Sequence, residues 1–205
     1  MKFGLKDKKR IIAVLLAVIF MGFSLSFLIR VDFGTDPCSS LNLGIANQLG
    51  IPFGTWLIIF NAILFLFVVV YDRSQIGWGT LANMLLVGYS TDFFTWLFDG
   101  IIPADFFTNL GARIIVLIPA LIIFILSAAV YMAVELGSAP YDAAVFIIAS
   151  KLKKIPFRFL RMAWDITACI IGYLLGSTIG IVTIVIAFAL GPVITMVKEK
   201  INKVL

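Results

Sequence analysis

Two charged residues inside one apolar segment are the first candidates for chemistry. Asp165 lies eight residues into the apolar run 157–175, and Arg161 precedes it by four residues. Residues four apart share one face of a helix. An ionised side chain at bilayer depth costs about 2.5–3.5 kcal/mol on insertion scales, so such a group faces a cavity or a partner. The pair predicts a carboxylate that binds a cationic group or carries a proton, or else an ion pair that only fastens helices together.

Other polar residues stand where predicted helices end or begin. Asp32 and Glu135 each end a helix, where they could line a pathway or simply lie among lipid headgroups. Asp36 precedes a proline and could cap the helix that follows, and Asp142 lies in a first turn, where the helix dipole stabilises negative charge. The predicted substrate-binding set consists of these four acidic residues, the Arg161 and Asp165 pair, two prolines and two asparagines. Its members are Asp32, Asp36, Pro37, Asn42, Asn61, Glu135, Pro140, Asp142, Arg161 and Asp165.

Several kinds of enzyme are excluded by residues that the chain lacks. It has no histidine, which is the commonest general base and a usual zinc or haem ligand. Its two cysteines, Cys38 and Cys169, have no metal-ligand spacing. The phosphate-binding loop of nucleotide-driven proteins is missing as well. We therefore expect no enzyme activity, no metal and no cofactor.

The composition is that of a membrane protein. Of the 205 residues, 62% are apolar and 13% are charged, and the mean hydropathy is +1.12. Soluble domains have about 45–50% apolar and 25% charged residues. The first apolar run, 11–29, is longer than the 7–15 residues or so that are typical of a signal peptide, so we interpret it as a helix. The fold class predicted is an all-α polytopic membrane protein, with residues 1–205 in a single membrane domain.

Six apolar runs are close to the length of about 20 residues that a transmembrane helix requires. Two shorter segments, 36–49 and 139–150, each begin near a proline, Pro37 or Pro140, and reach only about 20 Å as helices. We interpret them as re-entrant or interfacial half-helices, and eight full spans stay the alternative. The six predicted spans are 11–29, 55–70, 79–98, 113–134, 157–175 and 179–197.

The basic residues predict the orientation. With six spans and a cytoplasmic amino terminus, 14 of the 16 Lys and Arg residues lie inside, and eight spans would leave 13 inside. The loop 99–109 has no Lys or Arg and falls outside, in agreement with the positive-inside rule. Both termini are thus predicted to be cytoplasmic, where the basic tail would contact anionic lipids rather than nucleic acid.

The chain repeats itself at an offset of 103 to 104 residues. Matching residues keep their order through two units, 11–98 and 113–197. Each unit holds three predicted spans, and an odd number of spans places the second unit upside down in the bilayer. The sequence therefore predicts two inverted three-helix repeats, an arrangement in which substrate sites lie at the interface between the repeats. The matching segments are 32–37 with 135–140, 51–53 with 155–157, Asn61 with Asp165, and Ile76, Gly77, Thr80 and Gly88 with Ile179, Gly180, Thr183 and Gly191.

The motifs in these units resemble those of the YczE/YyaS/YitT family of bacterial integral membrane proteins. They are the run 34–44, Gly54-Thr55-Trp56, Pro140-x-Asp142, Ile179-Gly180-x-x-Thr183 and Gly191-Pro192. The resemblance implies a protein of the bacterial cytoplasmic membrane with five to eight helices. An acidic residue often follows the first Pro-aromatic pair in such proteins, and Cys38-Ser39 stands there instead. Any role of that acid therefore passes to Asp36 or is absent.

Three functions agree with these observations. The first is a small-solute permease that works by alternating access between the repeats. The second is a non-transporting scaffold or regulator of another complex, and the third is a substrate-capture subunit of an ATP-driven importer. The predicted partners are the lipid bilayer, anionic lipids at the cytoplasmic face and a small-molecule solute, and a homodimer is left open.

Overall fold

The described part of the chain folds into helices connected by turns and short extended segments. A computed structural model describes residues 5–103 and 105–204, and the side chains of 8–103 and 105–201. Lys2 and the side chain of Lys6, which belong to the basic amino terminus, lie outside the described part. The described residues contain no strand, so the predicted all-α class is confirmed. The eight helices are α1 (Leu5–Val31), α2 (Pro37–Leu49), α3 (Phe53–Tyr71), α4 (Trp78–Asp99), α5 (Leu110–Ala133), α6 (Pro140–Lys151), α7 (Phe157–Leu174) and α8 (Ile181–Val204).

Among the residues that the structure describes, four helices are long and apolar enough to cross a membrane, namely α1, α3, α5 and α8. The spans predicted at α4 and α7 are helices of 22 and 18 residues, but both are more polar. Three charged residues, Arg158, Arg161 and Asp165, lie on α7. The half-helices α2 and α6 have 13 and 12 residues, which is about 20 Å of helix and less than the thickness of the hydrocarbon core.

The two first helices of the predicted repeats, α1 and α5, pack side by side in opposite directions. Near the start of α1, Arg10 donates to the carbonyl of Val134, just after the end of α5. Near the start of α5, Arg113 donates through Nε to the carbonyl of Val31, the last residue of α1, at 2.7 Å. Contacts that join the start of each helix to the end of the other require an antiparallel pair.

By contrast, α4 runs parallel to α1, and α8 runs parallel to α5. Arg30 at the end of α1 forms an ion pair of 2.5 Å with Asp99 at the end of α4. Similarly, Lys198 in the last third of α8 pairs with Glu135, two residues after α5. Each predicted unit therefore has its first and last helices side by side with the same direction.

The turns after α1 and α5 have the same unusual backbone. Asp32 and Glu135 adopt φ angles of 55° and 54°, and Gly34 and Gly137 adopt 95° and 107°. Left-handed φ angles are uncommon outside glycine, although short acidic and amide side chains tolerate them best. The paired positions are 103 residues apart, so the same local chemistry turns the chain from a long helix toward a half-helix in both places.

Both turns dock on the beginning of a long helix through equivalent hydrogen bonds. The amide of Val182 in α8 donates to the carbonyl of Phe33 at 3.2 Å, and the amide of Gly79 in α4 donates to the carbonyl of Leu136 at 2.7 Å. The two donor residues are 103 residues apart in the chain, and so are the two acceptor residues. This docking fixes the extended segments that lead into α2 and α6.

Small residues allow α2 to pack closely on α7. A Cβ atom added to Gly172 would lie 2.7 Å from the carbonyl oxygen of Ser40, and one added to Gly44 would lie 2.7 Å from the carbonyl oxygen of Gly172. At the end of α2, Gln48 donates to the carbonyl of Leu175 at 3.2 Å. Close backbone approach through small residues is the usual way in which helices associate within a membrane.

Candidate functional site

A cavity of about 350 Å³ lies where the two half-helices begin, and residues of all eight described helices line it. Met21 and Phe124, which line it from α1 and α5, are central residues of those helices. The amino-terminal ends of α2 and α6 both reach the cavity, through Asp36 and Asp142 among others. The two turns therefore bring half-helix ends from both predicted units to one place.

Arg161 holds together the charged cluster on one side of this cavity. Its guanidinium forms an ion pair through Nη1 with Asp142 on α6, and through Nε it donates to Asp165 Oδ2 at 2.8 Å. The hydroxyl of Tyr141 donates to the other oxygen of Asp165 at 2.9 Å. The side chains of Arg161, Asp142 and Asp165 are 30%, 17% and 20% exposed. Arg161 of the i, i+4 pair predicted on α7 thus also binds a carboxylate from α6, the half-helix of the same unit.

Asp36 faces the same cavity from the other unit. Its Oδ1 accepts a hydrogen bond from the amide of Ser39 at 3.1 Å, so Asp36 is the N-cap of α2. Its Oδ2 is buried and has no hydrogen-bond partner among the described residues. Capping therefore uses one carboxylate oxygen and leaves the other one without a partner among the described residues.

Two buried amides complete the polar lining. Asn61 on α3 and Asn83 on α4 are 3% and 9% exposed, and both line the cavity. Asn61 is the counterpart of Asp165 in the predicted repeat. The two units therefore contribute unequal polar groups to the lining.

The other predicted site residues divide between the cavity and its surroundings. Pro37 lines the cavity, whereas Pro140 is buried as the first residue of α6. Asn42 is fully buried outside the lining, because its amide group donates back to the carbonyl of Cys38 at 2.8 Å. Asp32 is exposed at the turn after α1, where its carbonyl accepts a hydrogen bond from Arg113. The structure does not bring Asp32, Asn42 or Pro140 into the cavity lining.

Glu135 lines a second cavity, of about 470 Å³, beside the first. The two cavities share residues of α5 and α6, including Tyr131, Asp142 and Phe146. Glu135 is exposed and paired with Lys198, so the second cavity reaches the molecular surface. The second cavity shares Asp142 with the charged cluster and is lined by Glu135 just after the end of α5.

Sequence reasoning missed the two tyrosines of the site. Tyr131 and Tyr141 line the cavity at 3% and 4% exposure, and Tyr141 touches the charged cluster. The repeat could have found Tyr141, because this residue occupies the position equivalent to Cys38, next to the N-cap of the other half-helix. Tyr131 gives no comparable signal, since a tyrosine near the end of an apolar helix is typical of the membrane interface.

Asp92 is a further acidic residue within a predicted span, and it does not line either cavity. Its Oδ2 accepts a hydrogen bond from the amide of Gly54 at 2.8 Å. Gly54 lies in the first turn of α3, where backbone amides have no partner within the helix. A cap supplied by the neighbouring helix therefore accounts for this carboxylate.

Comparison with known proteins assigns the chain to a family. Residues 8–199 match the model of a family of unknown function, DUF6198. The chain belongs to the DUF6198 family. The resemblance seen in the sequence motifs is confirmed, because two similar proteins are YczE and YyaS of Bacillus subtilis (strain 168).

The relatives of this DUF6198 protein support a membrane location in general terms. YczE, described as an uncharacterized membrane protein, is 27% identical over 77% of this chain and 70% of its own length. An uncharacterized protein of Haemophilus influenzae is 25% identical over 91% of this chain and 82% of its own length. YyaS, described as an uncharacterized protein, is 23% identical over 68% of each chain. No solved structure matches the chain.

Proposed function

We propose that this DUF6198 protein is a small-solute permease of the bacterial cytoplasmic membrane that works by alternating access. The observation that carries the proposal is the central cavity, in which two half-helix ends meet an Arg161 cluster. Ionised side chains and non-helical backbone at membrane depth are tolerated where they line a cavity or are buried in protein. Transporters of known architecture use such broken helices to bind solutes. The proposed activity moves a solute and changes no covalent bond.

An inverted repeat is the first structural element of this proposal. The antiparallel packing of α1 and α5 is what two units of opposite orientation require. The equivalent turns at Gly34 and Gly137, with equivalent hydrogen bonds to α8 and α4, support a correspondence of the units along most of their length. Inverted units provide two related conformations, and a permease needs two in order to open alternately to either side.

Six membrane crossings are the second element. Because α1 and α4 are parallel, the chain between them must cross the membrane an odd number of times. The helix α3 is long enough for that single crossing, whereas α2 covers only about 20 Å. The same argument applies to α7 and α6 between α5 and α8. Eight crossings would make α1 and α4 antiparallel, against the pairing of Arg30 with Asp99.

The route of the solute is the third element. The second cavity is lined both by Asp142 of the charged cluster and by the exposed Glu135, so we take it as the path of the solute. With a cytoplasmic amino terminus, the end of α5 lies at the cytoplasmic face, so this route opens to the cytoplasm. At the other face Arg113 binds the carbonyls of Val31 and Asp32 and holds α5 to the end of α1. We assign this arrangement to the inward-facing state of the transport cycle.

Uptake by purified protein in liposomes tests the proposed function. We expect uptake of at least one member of a panel of metabolites, cations and amphiphiles, and at least a tenfold slower rate for Asp165→Asn, because this change removes one of the two charges that position Arg161. Asp105→Asn removes an exposed carboxylate from the loop before α5 and should leave the rate unchanged. If the folded protein transports no member of the panel, it is not a permease, and a scaffold or regulatory role takes its place.

A further inference from the structure

The charges that line the central cavity do not balance. Three carboxylates, those of Asp36, Asp142 and Asp165, face one guanidinium, that of Arg161. With these groups ionised, the lining carries a formal charge of −2. Among the described lining residues Arg161 is the one cation, and both neighbouring carboxylates already engage it. An anionic solute would thus find no free positive side chain in the cavity.

The unsatisfied part of this charge is concentrated on Asp36. Asp165 has partners for both of its oxygens, and Asp142 is paired with Arg161. In Asp36, Oδ1 accepts from the amide of Ser39, while Oδ2 is buried without a partner in the described part of the chain. A buried polar atom with no partner is costly. A donor on a bound molecule would remove that cost.

The rest of the wall favours an organic ion over a metal ion. Aromatic side chains from three helices line the cavity, among them Phe124, Tyr131 and Phe146. Aromatic faces attract cations that carry little hydration. The described residues contain no group of three or more carboxylates or thiols that could hold a metal ion. The volume of about 350 Å³ is near the lower end of the range for small-molecule sites.

We propose that the solute is a small protonated organic amine with an apolar body, and that the carboxylate of Asp36 accepts a hydrogen bond from its ammonium group. The Arg161 cluster then shapes its own part of the wall and does not bind the charged end of the solute. This inference rests on the proposed function and names the class of solute. It also transfers the main binding role from Asp165, which the sequence favours, to Asp36.

Binding of three compounds of similar shape and different charge tests the inference. The full chain in detergent micelles is titrated calorimetrically with phenethylamine, 2-phenylethanol and 3-phenylpropionate, which are cationic, neutral and anionic at pH 7. We expect phenethylamine to bind at least tenfold more tightly than the other two. Equal affinities for the three compounds, or no binding of phenethylamine and butylamine, overturn the inference. This comparison uses the unaltered chain and so does not depend on how any variant folds.

The variant Asp36→Asn tests the anchor itself. Asparagine is as good an N-cap as aspartate, so the amide can keep the hydrogen bond from Ser39 while the charge is lost. We expect at least a tenfold loss of phenethylamine affinity, with Asp105→Asn as the control that keeps the affinity of the unaltered chain. Unchanged affinity in Asp36→Asn overturns the assignment of the anchor.

Transport separates the failure of the inference from the failure of the proposed function. If liposomes with the protein take up a neutral or anionic solute and no amine, the permease is supported and the amine site is wrong. If phenethylamine binds through Asp36 and no compound of the panel is transported, the amine site is supported and the permease is wrong.

Discussion

At the scale of single residues, the site depends on one arginine shared by two carboxylates. Arg161 contacts Asp165 on its own helix and Asp142 on α6. Attraction between partly buried charges roughly offsets the cost of removing them from water, but removal of one partner leaves that cost uncompensated. Arg161 is therefore needed for the stability of the lining whether or not it ever touches a solute.

We predict that Arg161→Gln lowers the free energy of unfolding. Breaking a fully buried ion pair costs about 3–5 kcal/mol. Because the Arg161 side chain is 30% exposed, we expect a loss of roughly 2–3 kcal/mol, measured by denaturant titration in mixed micelles. Arg158→Gln, an exposed change on the same helix, is the control and should cost less than about 0.5 kcal/mol.

A double variant identifies the cause of that loss. Arg161→Gln leaves two carboxylates without their cation, and adding Asp165→Asn removes one of these carboxylates. The loss of unfolding free energy in the double variant should therefore be smaller than the sum of the losses in the two single variants. Strict additivity would contradict the ion-pair explanation.

At the scale of elements, the half-helices are set by the turns that precede them. Proline at the first helical position fixes φ near its helical value. Its missing N–H costs nothing there, because an N–H at this position has no partner within the helix. Before it, the left-handed residues at Gly34 and Gly137 turn the chain against α8 and α4. These turns place Asp36 and Asp142 in the cavity, so the candidate site depends on the backbone conformation of the glycines that precede its acidic residues.

We predict that Gly137→Ala is more damaging than another glycine change at a similar φ. The added Cβ would lie 2.5 Å from the backbone nitrogen of Gly77, and φ is +107°. Gly176 has φ of +89° and nothing within 4 Å of such an atom, so Gly176→Ala pays only the conformational cost, about 1–2 kcal/mol. The free energy of unfolding should fall further for Gly137→Ala, by roughly 3 kcal/mol or more in total.

Two further glycines test the same explanation. Gly34→Ala, the equivalent change in the first unit, should resemble Gly137→Ala, because its Cβ would lie 2.7 Å from the nitrogen of Gly180. Gly191→Ala, with neither a left-handed φ nor a neighbour within 4 Å, should be nearly neutral. Similar losses for Gly137 and Gly176 would show that close docking of the turn contributes nothing.

At the scale of the whole molecule, the proposed topology rests on the directions of the long helices. Large apolar side chains are exposed on the outside of the bundle, for example Leu66 at 67% and Phe188 at 76%, as expected of a surface that faces lipid. The parallel and antiparallel pairs support the six crossings that we propose over eight. Charge alone separates these two topologies poorly, since a cytoplasmic amino terminus would place 14 basic residues inside with six crossings and 13 with eight.

We predict that cysteines at positions 47 and 105 react with a membrane-impermeant maleimide from outside the cell. Asn47→Cys and Asp105→Cys are each introduced after Cys38 and Cys169, the two free cysteines, are replaced by alanine. Ser74→Cys is the opposite control, because the turn after α3 is cytoplasmic with six crossings and should react only in opened cells. Reaction of position 105 from the inside alone would favour eight crossings.

Much of the site was accessible to sequence reasoning, for local reasons. Asp165 and Arg161 share a helix face by spacing, and Asp36 and Asp142 are marked by the prolines beside them. Asp32 and Asn42 match the same patterns yet do not line the cavity, because one lies at the exposed end of α1 and the other bonds to its own helix. The direction in which a side chain points depends on packing against residues that are distant in the sequence.

The sequence by itself determined the helical class, the existence of long and short helices, the turn chemistry and the family, because these depend on local hydrophobic length and on proline and glycine. Only the tertiary structure decided which acids meet. The pairing of Arg161 with Asp142, the contact of Tyr141 with Asp165 and the unpartnered oxygen of Asp36 arise from packing between segments that lie 19 to 129 residues apart in the chain. Such packing depends on the fit of helices around a cavity, which no local pattern encodes.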